Sequence, residues 1–194
     1  MLSHFVPNCL PATARPARAR RGEAPGLNTY GGGGRRVALF LSTYVNKIDR
    51  KGRASVPAAF RAVLAVQNFP GVIAFCAFND RYKAIEACGM DHMERLSRSI
   101  DTLNPFSDGH DHFASAIFGE AVPLPFDSEG RIILPDHLLT YAGITDRAAF
   151  VGKGKTFQIW QPEALRAYQE EARRQALAGR SDLRLAGQGG GDER

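Results

Sequence analysis

Two nine-residue segments, 78 positions apart, constrain this chain more than any other feature: DRKGRASVP at 49–57 and DSEGRIILP at 127–135. Asp, Gly, Arg and Pro recur at identical offsets. Asp49 and Asp127 can hydrogen-bond the backbone beyond them, and Gly52 and Gly130 can take the positive φ that bends one strand into the next. Pro57 and Pro135 suit the first turn of a helix, where a missing N–H costs nothing. Each copy therefore reads as strand–turn–strand–helix. One Asp-x-x-Gly-Arg is common in β-rich proteins, but two copies with matching prolines and matching sequels identify a duplicated unit.

The sequels match as well. After the first copy, residues 72–78 and 82–87 read as a hairpin around Asn79-Asp80-Arg81, followed by a helix from Met90 with Met93, Leu96 and Ile100 at core spacing. After the second, residues 148–151 and 156–160 read as strands, and a helix opens at Pro162 with Leu165 and Tyr168 inward. Ile85 and Ile159 are expected at equivalent strand positions. Strands are also expected at 37–41 and 44–48, with a helix over 57–66 carrying Phe60, Val63 and Leu64 on one face. The result is an α+β chain of five segments. A disordered Arg/Gly-rich extension covers 1–36, the first unit 37–101, a linker loop and short helix 102–119, the second unit 120–176, and a disordered tail 177–194. The linker helix is expected over 110–119, carrying Phe113, Ile117 and Phe118. Two half-barrels sharing one core are expected, since neither half looks large enough to stand alone.

The net charge of +5 is misleading. Residues 37–173 hold 15 Lys+Arg against 16 Asp+Glu, which leaves that stretch at −1. The excess sits in the flanks, at Arg15, Arg18, Arg20, Arg21, Arg35 and Arg36 and again at Arg174, Arg180, Arg184 and Arg194. With Gly31–Gly34 and Gly189–Gly191, these flanks read as solvated and disordered. The first 36 residues share the Arg-rich, acid-poor composition of a targeting peptide, but they hold a single Ser and no clear amphipathic helix. Initiation at Val37 from a GTG codon is the preferred expectation. No apolar run reaches membrane-spanning length, and the odd, unpaired spacing of Cys9, Cys76 and Cys88 suits a reducing cytoplasm.

Catalytic patterns are sparse. Asp108, His110, Asp111 and His112 invite a metal, but His110 and His112 are two apart and do not share a helical face. Gly152-Lys153-Gly154-Lys155 has phosphate-friendly composition at a place that reads as a hairpin turn. Cys76 lies in an apolar strand and reads as a small core residue. No catalytic residue, metal, cofactor or small-molecule substrate is expected.

The two turns differ in charge. Over 45–61, Lys47, Arg50, Lys51, Arg53 and Arg61 face Asp49, giving +4; over 123–139, Arg131 faces Asp127, Glu129 and Asp136, giving −2. Cations on a strand–turn–strand ribbon can neutralise phosphates, and Arg can read guanine in the major groove. Nucleic-acid contact is expected from Arg53, Lys51, Arg50 and Lys47. The plainer role of a turn staple is expected for Arg131, with Asp49, Gly52, Asp127 and Gly130 as structural turn residues.

At these residues the chain resembles the MraZ family of bacterial transcriptional regulators, encoded at the head of the division and cell-wall gene cluster. The resemblance covers 39–169 and includes Arg53, Pro57 and Phe60 in the first unit and Arg131, Pro135 and Leu138 in the second. It implies tandem SpoVT-AbrB-like units, each a swapped-hairpin half-barrel, paired within the chain as a pseudo-dimer with flanking helices. It also implies a ring-like homo-oligomer that binds double-stranded DNA at direct repeats in its own promoter, cytoplasmic and nucleoid-associated. The DNA-contacting Arg of the family maps onto Arg53, with Lys51 and Arg50 in the same loop. Several identical loops on a ring would engage repeated sites at high effective concentration. The rival expectation is an AbrB-like protein-interaction or antitoxin-like module without specific DNA recognition.

Overall fold

The computed structural model describes residues 38–67 and 69–180. The expectations for 1–36, for Val37 and for 181–194 lie outside these residues. The described chain is α+β: β1 (Thr43–Lys47), β2 (Arg53–Ser55), α1 (Ala58–Ala65), β3 (Gly71–Cys76), β4 (Ile85–Cys88), α2 (Met90–Ile100), α3 (Asp108–Ile117), β5 (Val122–Pro125), β6 (Arg131–Ile133), α4 (Asp136–Ala142), β7 (Arg147–Gly152), β8 (Phe157–Trp160) and α5 (Pro162–Ala178).

The strands pair across the repeat. An antiparallel sheet runs in the order β1-β7-β8-β4-β3-β5, and β2 pairs with β6 in a separate ribbon. Ile85 sits opposite Ile159 where β4 meets β8, and Ala54 sits opposite Ile132 where β2 meets β6. Residues expected to be equivalent thus meet each other, the signature of a local two-fold axis. The rest follows that axis: β1 pairs with β7 as β5 pairs with β3.

Period-two alternation divides the sheet into two faces. Val72, Ala74, Ile85, Ala87, Ala148, Phe150, Phe157 and Ile159 face inward, where they pack with Phe60 and Leu64 of α1, Leu138 of α4, and Ala54 and Ile132 of the ribbon. The opposite face is covered in two patches. Ala149, Val151 and Trp160 pack with Leu165 of α5, while Ile73, Phe75 and Cys88 pack with Met93 of α2. At the centre of that face Gln158 Nε2 donates to Glu86 Oε2 at 2.8 Å and to the Tyr82 hydroxyl at 3.0 Å. Burial of Glu86 pushes its carboxyl pKa up.

Several boundaries differ from the sequence reading. Over 38–41, the described part of the strand expected at 37–41, there is one bridge, Phe40 to Gly154. Phe40 is buried against Phe60 and Phe157, while Leu39 and Leu41 are exposed. The residues there alternate, but only Phe40 finds a ladder partner. Pro57 and Pro135 occupy the N-cap positions, one residue outside their helices. The linker helix begins two residues early because Ser107 caps it, its Oγ accepting from the His110 N–H. No residue of α3 is buried, and Phe113 and Phe118 are exposed.

The repeated segments interlock at their glycines. The Val56 N–H donates to the Gly130 carbonyl at 3.2 Å, and the Leu134 N–H donates to the Gly52 carbonyl at 2.9 Å. Both glycines have φ of +73°. A Cβ at Gly52 would lie 2.7 Å from the Leu134 carbonyl oxygen, whereas at Gly130 it would meet the movable Arg61 side chain. The left-handed backbone alone costs a non-glycine residue about 1–2 kcal/mol. Gly52→Ala is therefore expected to lower the melting temperature more than Gly130→Ala. Equal losses would show that the close approach to Leu134 adds nothing.

Candidate nucleic-acid interface

Each turn is built by one aspartate. Asp49 Oδ1 accepts from the N–H groups of Lys51 (2.9 Å) and Arg53 (3.0 Å), and Gly52 N–H donates to the Asp49 carbonyl at 3.0 Å. Asp127 repeats this with Glu129 (2.9 Å), Arg131 (2.9 Å) and Gly130 (3.0 Å). The second carboxylate oxygen binds the arginine. Arg53 Nε donates to Asp49 Oδ2 at 2.6 Å, and Arg131 Nε donates to Asp127 Oδ2 at 2.7 Å. The backbone amide of each arginine does most to hold these carboxyls below their usual range. The staple role expected for Arg131 is thus a geometry that Arg53 shares.

What differs is the far side of each guanidinium. Arg131 Nη1 lies 2.7 Å from Glu129, so Arg131 is held by two carboxylates. Its hydrogen bond to Asp127 leads the causes that raise its pKa, with Glu129 and Asp49 adding to them. The position matching Glu129 in the first turn is Lys51. Arg53 spends its Nε and Nη2 on Asp49, and its Nη1 edge makes no hydrogen bond among the described residues. Lys47, Arg50 and Lys51 are exposed and join no ion pair among those residues. Asn46 on β1 fixes the entering strand, its Nδ2 donating to the Ser55 carbonyl at 2.6 Å.

Arg61 is near the first turn in sequence, but the fold places it at the second. Its side chain packs over Gly130, with Nη1 donating to the Glu129 carbonyl at 3.5 Å and Nε buried without a partner. The matching residue of the second half is Leu139, which lies against Gly52. Arg61 therefore adds its charge to the acidic turn and leaves Lys47, Arg50, Lys51 and Arg53 as the cations beside Asp49. Sequence reasoning missed Arg147. It opens β7 directly opposite Lys47, exposed, and 100 positions separate the two.

The other candidates do not converge. His110 and His112 stand on α3, and among the described residues no three His, Cys, Asp or Glu side chains form a metal-binding group. Gly152–Lys155 is a hairpin turn between β7 and β8, with Gly154 at φ +80° and Lys153 Nζ 5.2 Å from the Tyr168 ring centroid. Cys76 is half-buried, and burial pushes the Cys88 thiol up to about 12. A groove lined by Tyr82, Tyr141, Trp160 and Tyr168 lies beside α5, away from both turns. No helix among the described residues is long and apolar enough to cross a membrane.

The depressed carboxyls give a pH dependence of defined sign. A carboxylate whose folded pKa lies below the ordinary 3.8 adds stability above that pH and loses it as pH falls through the folded value. Below about pH 4 the wild-type melting temperature is expected to fall more steeply than that of Asp49→Asn/Asp127→Asn. Parallel curves for the two proteins would contradict this.

Comparison with known proteins adds the family. A family model described as "MraZ protein, putative antitoxin-like" matches residues 117–184. The chain is 51% identical over 148 residues to the "Transcriptional regulator MraZ" of Rickettsia canadensis (strain McKiel), an alignment covering 76% of this chain and 98% of that protein. It is 49% identical over 146 residues to the protein of the same name from Pelagibacter ubique (strain HTCC1062), covering 75% and 93% respectively. The duplicated turn, the α+β fold and these alignments agree, and the chain belongs to the MraZ family.

Proposed function

We propose that this chain is a sequence-specific DNA-binding transcriptional regulator of the division and cell-wall gene cluster, acting through its first Asp-x-x-Gly-Arg turn. One observation carries the reading. Two turns share one backbone geometry, yet Glu129 closes the second around Arg131, while the first presents Lys47, Arg50, Lys51 and the open edge of Arg53. Cations on an exposed, rigid turn suit a polyanion, with Arg50 and Lys51 clamping phosphates and Arg53 at a base edge or phosphate. The relatives' name, transcriptional regulator, supports the same reading.

The finer picture is that residues 37–101 and 120–176 are AbrB-like swapped-hairpin units, joined through 102–119 and paired as an intrachain pseudo-dimer. Strand pairing across the repeat supports it. The chain would act in the cytoplasm, at the nucleoid, as a ring-like homo-oligomer on direct repeats in its own promoter. Exposed apolar residues at opposite ends of the sheet support self-association: Leu41 just before β1 and Val45 on it, and Phe106 before and Phe113 on α3, the helix that leads into β5.

A second reading, an antitoxin-like protein-interaction module without specific DNA recognition, draws on the family description and on the exposed face of α3. Salt dependence separates the two, since each phosphate contact adds about 0.9 to the slope of log affinity against log salt. A gel shift on DNA directly upstream of the gene is expected to be steeply salt-dependent. Arg50→Ala/Lys51→Ala should lose it at an unchanged melting temperature. Arg131→Ala should lower the melting temperature and weaken binding only in proportion. Normal binding by Arg50→Ala/Lys51→Ala would end this assignment. Arg53→Ala is a poorer test, because it also removes the staple to Asp49.

A further inference from the structure

We propose that Arg147 on β7 is a phosphate-contacting residue and that the DNA surface continues from the first turn across the β1–β7 ribbon. This inference rests on the reading just given and deepens it. Arg147 sits directly opposite Lys47 in the antiparallel ladder, so both side chains leave the same face of the sheet at the end nearest the turn. Both are exposed, and neither joins an ion pair among the described residues. The nearest acid in sequence, Asp146, accepts from the Thr145 hydroxyl at 3.2 Å, and its backbone carbonyl accepts from the Ile48 N–H at 2.8 Å.

The local two-fold axis supplies an internal control. In the other half, the pair at the matching place is Pro125 opposite Gly71, and the Phe126 N–H donates to the Pro70 carbonyl as the Ile48 N–H does to Asp146. One backbone arrangement therefore carries two cations beside the basic turn and none beside the acidic turn. Like charges placed directly opposite each other destabilise a ladder. A Lys–Arg pair on an otherwise unconstrained surface is a cost that a bound polyanion would relieve. Lys47 and Arg147 would straddle a phosphate on the strand whose neighbouring phosphates meet Arg50 and Lys51.

The test is the salt dependence of binding to the upstream DNA for Arg147→Gln, Arg147→Lys and, as a remote exposed cation, Arg81→Gln. Arg147→Gln is expected to weaken binding and to reduce the salt slope by about 0.9 for each engaged subunit. Its melting temperature should be unchanged or higher, because the repulsion with Lys47 is gone. Arg147→Lys should retain most of the slope, and Arg81→Gln should bind like the parent. If Arg147→Gln keeps the parental affinity and slope while Arg50→Ala/Lys51→Ala loses both, Arg147 is no contact and the DNA reading stands without it. If neither protein differs from the parent, both proposals fall.

Discussion

The exchange of backbone hydrogen bonds between the two turns organises the rest of this molecule. Val56 donates to the Gly130 carbonyl and Leu134 to the Gly52 carbonyl, so each turn helps complete the strand that leaves the other. This requires a left-handed glycine at the apex and an aspartate that gathers the amides behind it, and both are present twice. The interlock sets the β2–β6 ribbon over the inner face of the sheet, where Ala54 and Ile132 complete a core that neither half encloses alone. It also holds the two turns in a fixed relation.

On that shared frame, side-chain charge has diverged. The aspartate–arginine staple is common to both turns and distinguishes nothing. The distinction comes from the residue two positions after the aspartate, Lys51 in one turn and Glu129 in the other. Glu129 closes a carboxylate cage around Arg131, and Arg61 crosses from α1 to the same turn. The basic turn keeps its cations outward. The pair flanking each turn follows the same division, Lys47 with Arg147 on one side and Pro125 with Gly71 on the other.

Much of this was legible in the sequence because the signals were local. Turn chemistry, the 78-residue repeat, the helices over 90–100 and 162–178 and the equivalence of Ile85 with Ile159 are written in short-range patterns. What escaped depends on pairing between distant segments. Period-two alternation shows that β1 and β7 are strands but not that they are neighbours, so Arg147 stayed invisible beside Lys47. Arg61 lies near the first turn in sequence yet packs on the second, because side-chain reach across a two-fold axis has no sequence signature. Within 38–41 the expected strand is only a bridge at Phe40 for a related reason, since alternation does not show how far a partner segment extends.

In the proposed function one residue, Lys51 in place of an acid, keeps the first turn open to a polyanion. Lys51→Glu tests it most directly, because it gives the first turn the side chain found at Glu129 and a second carboxylate for Arg53. Binding to the upstream DNA should be lost, while thermal stability stays at or above that of the parent and the mass in solution is unchanged. Parental DNA affinity in the Lys51→Glu protein would show that Lys51 does not set the turn's charge role.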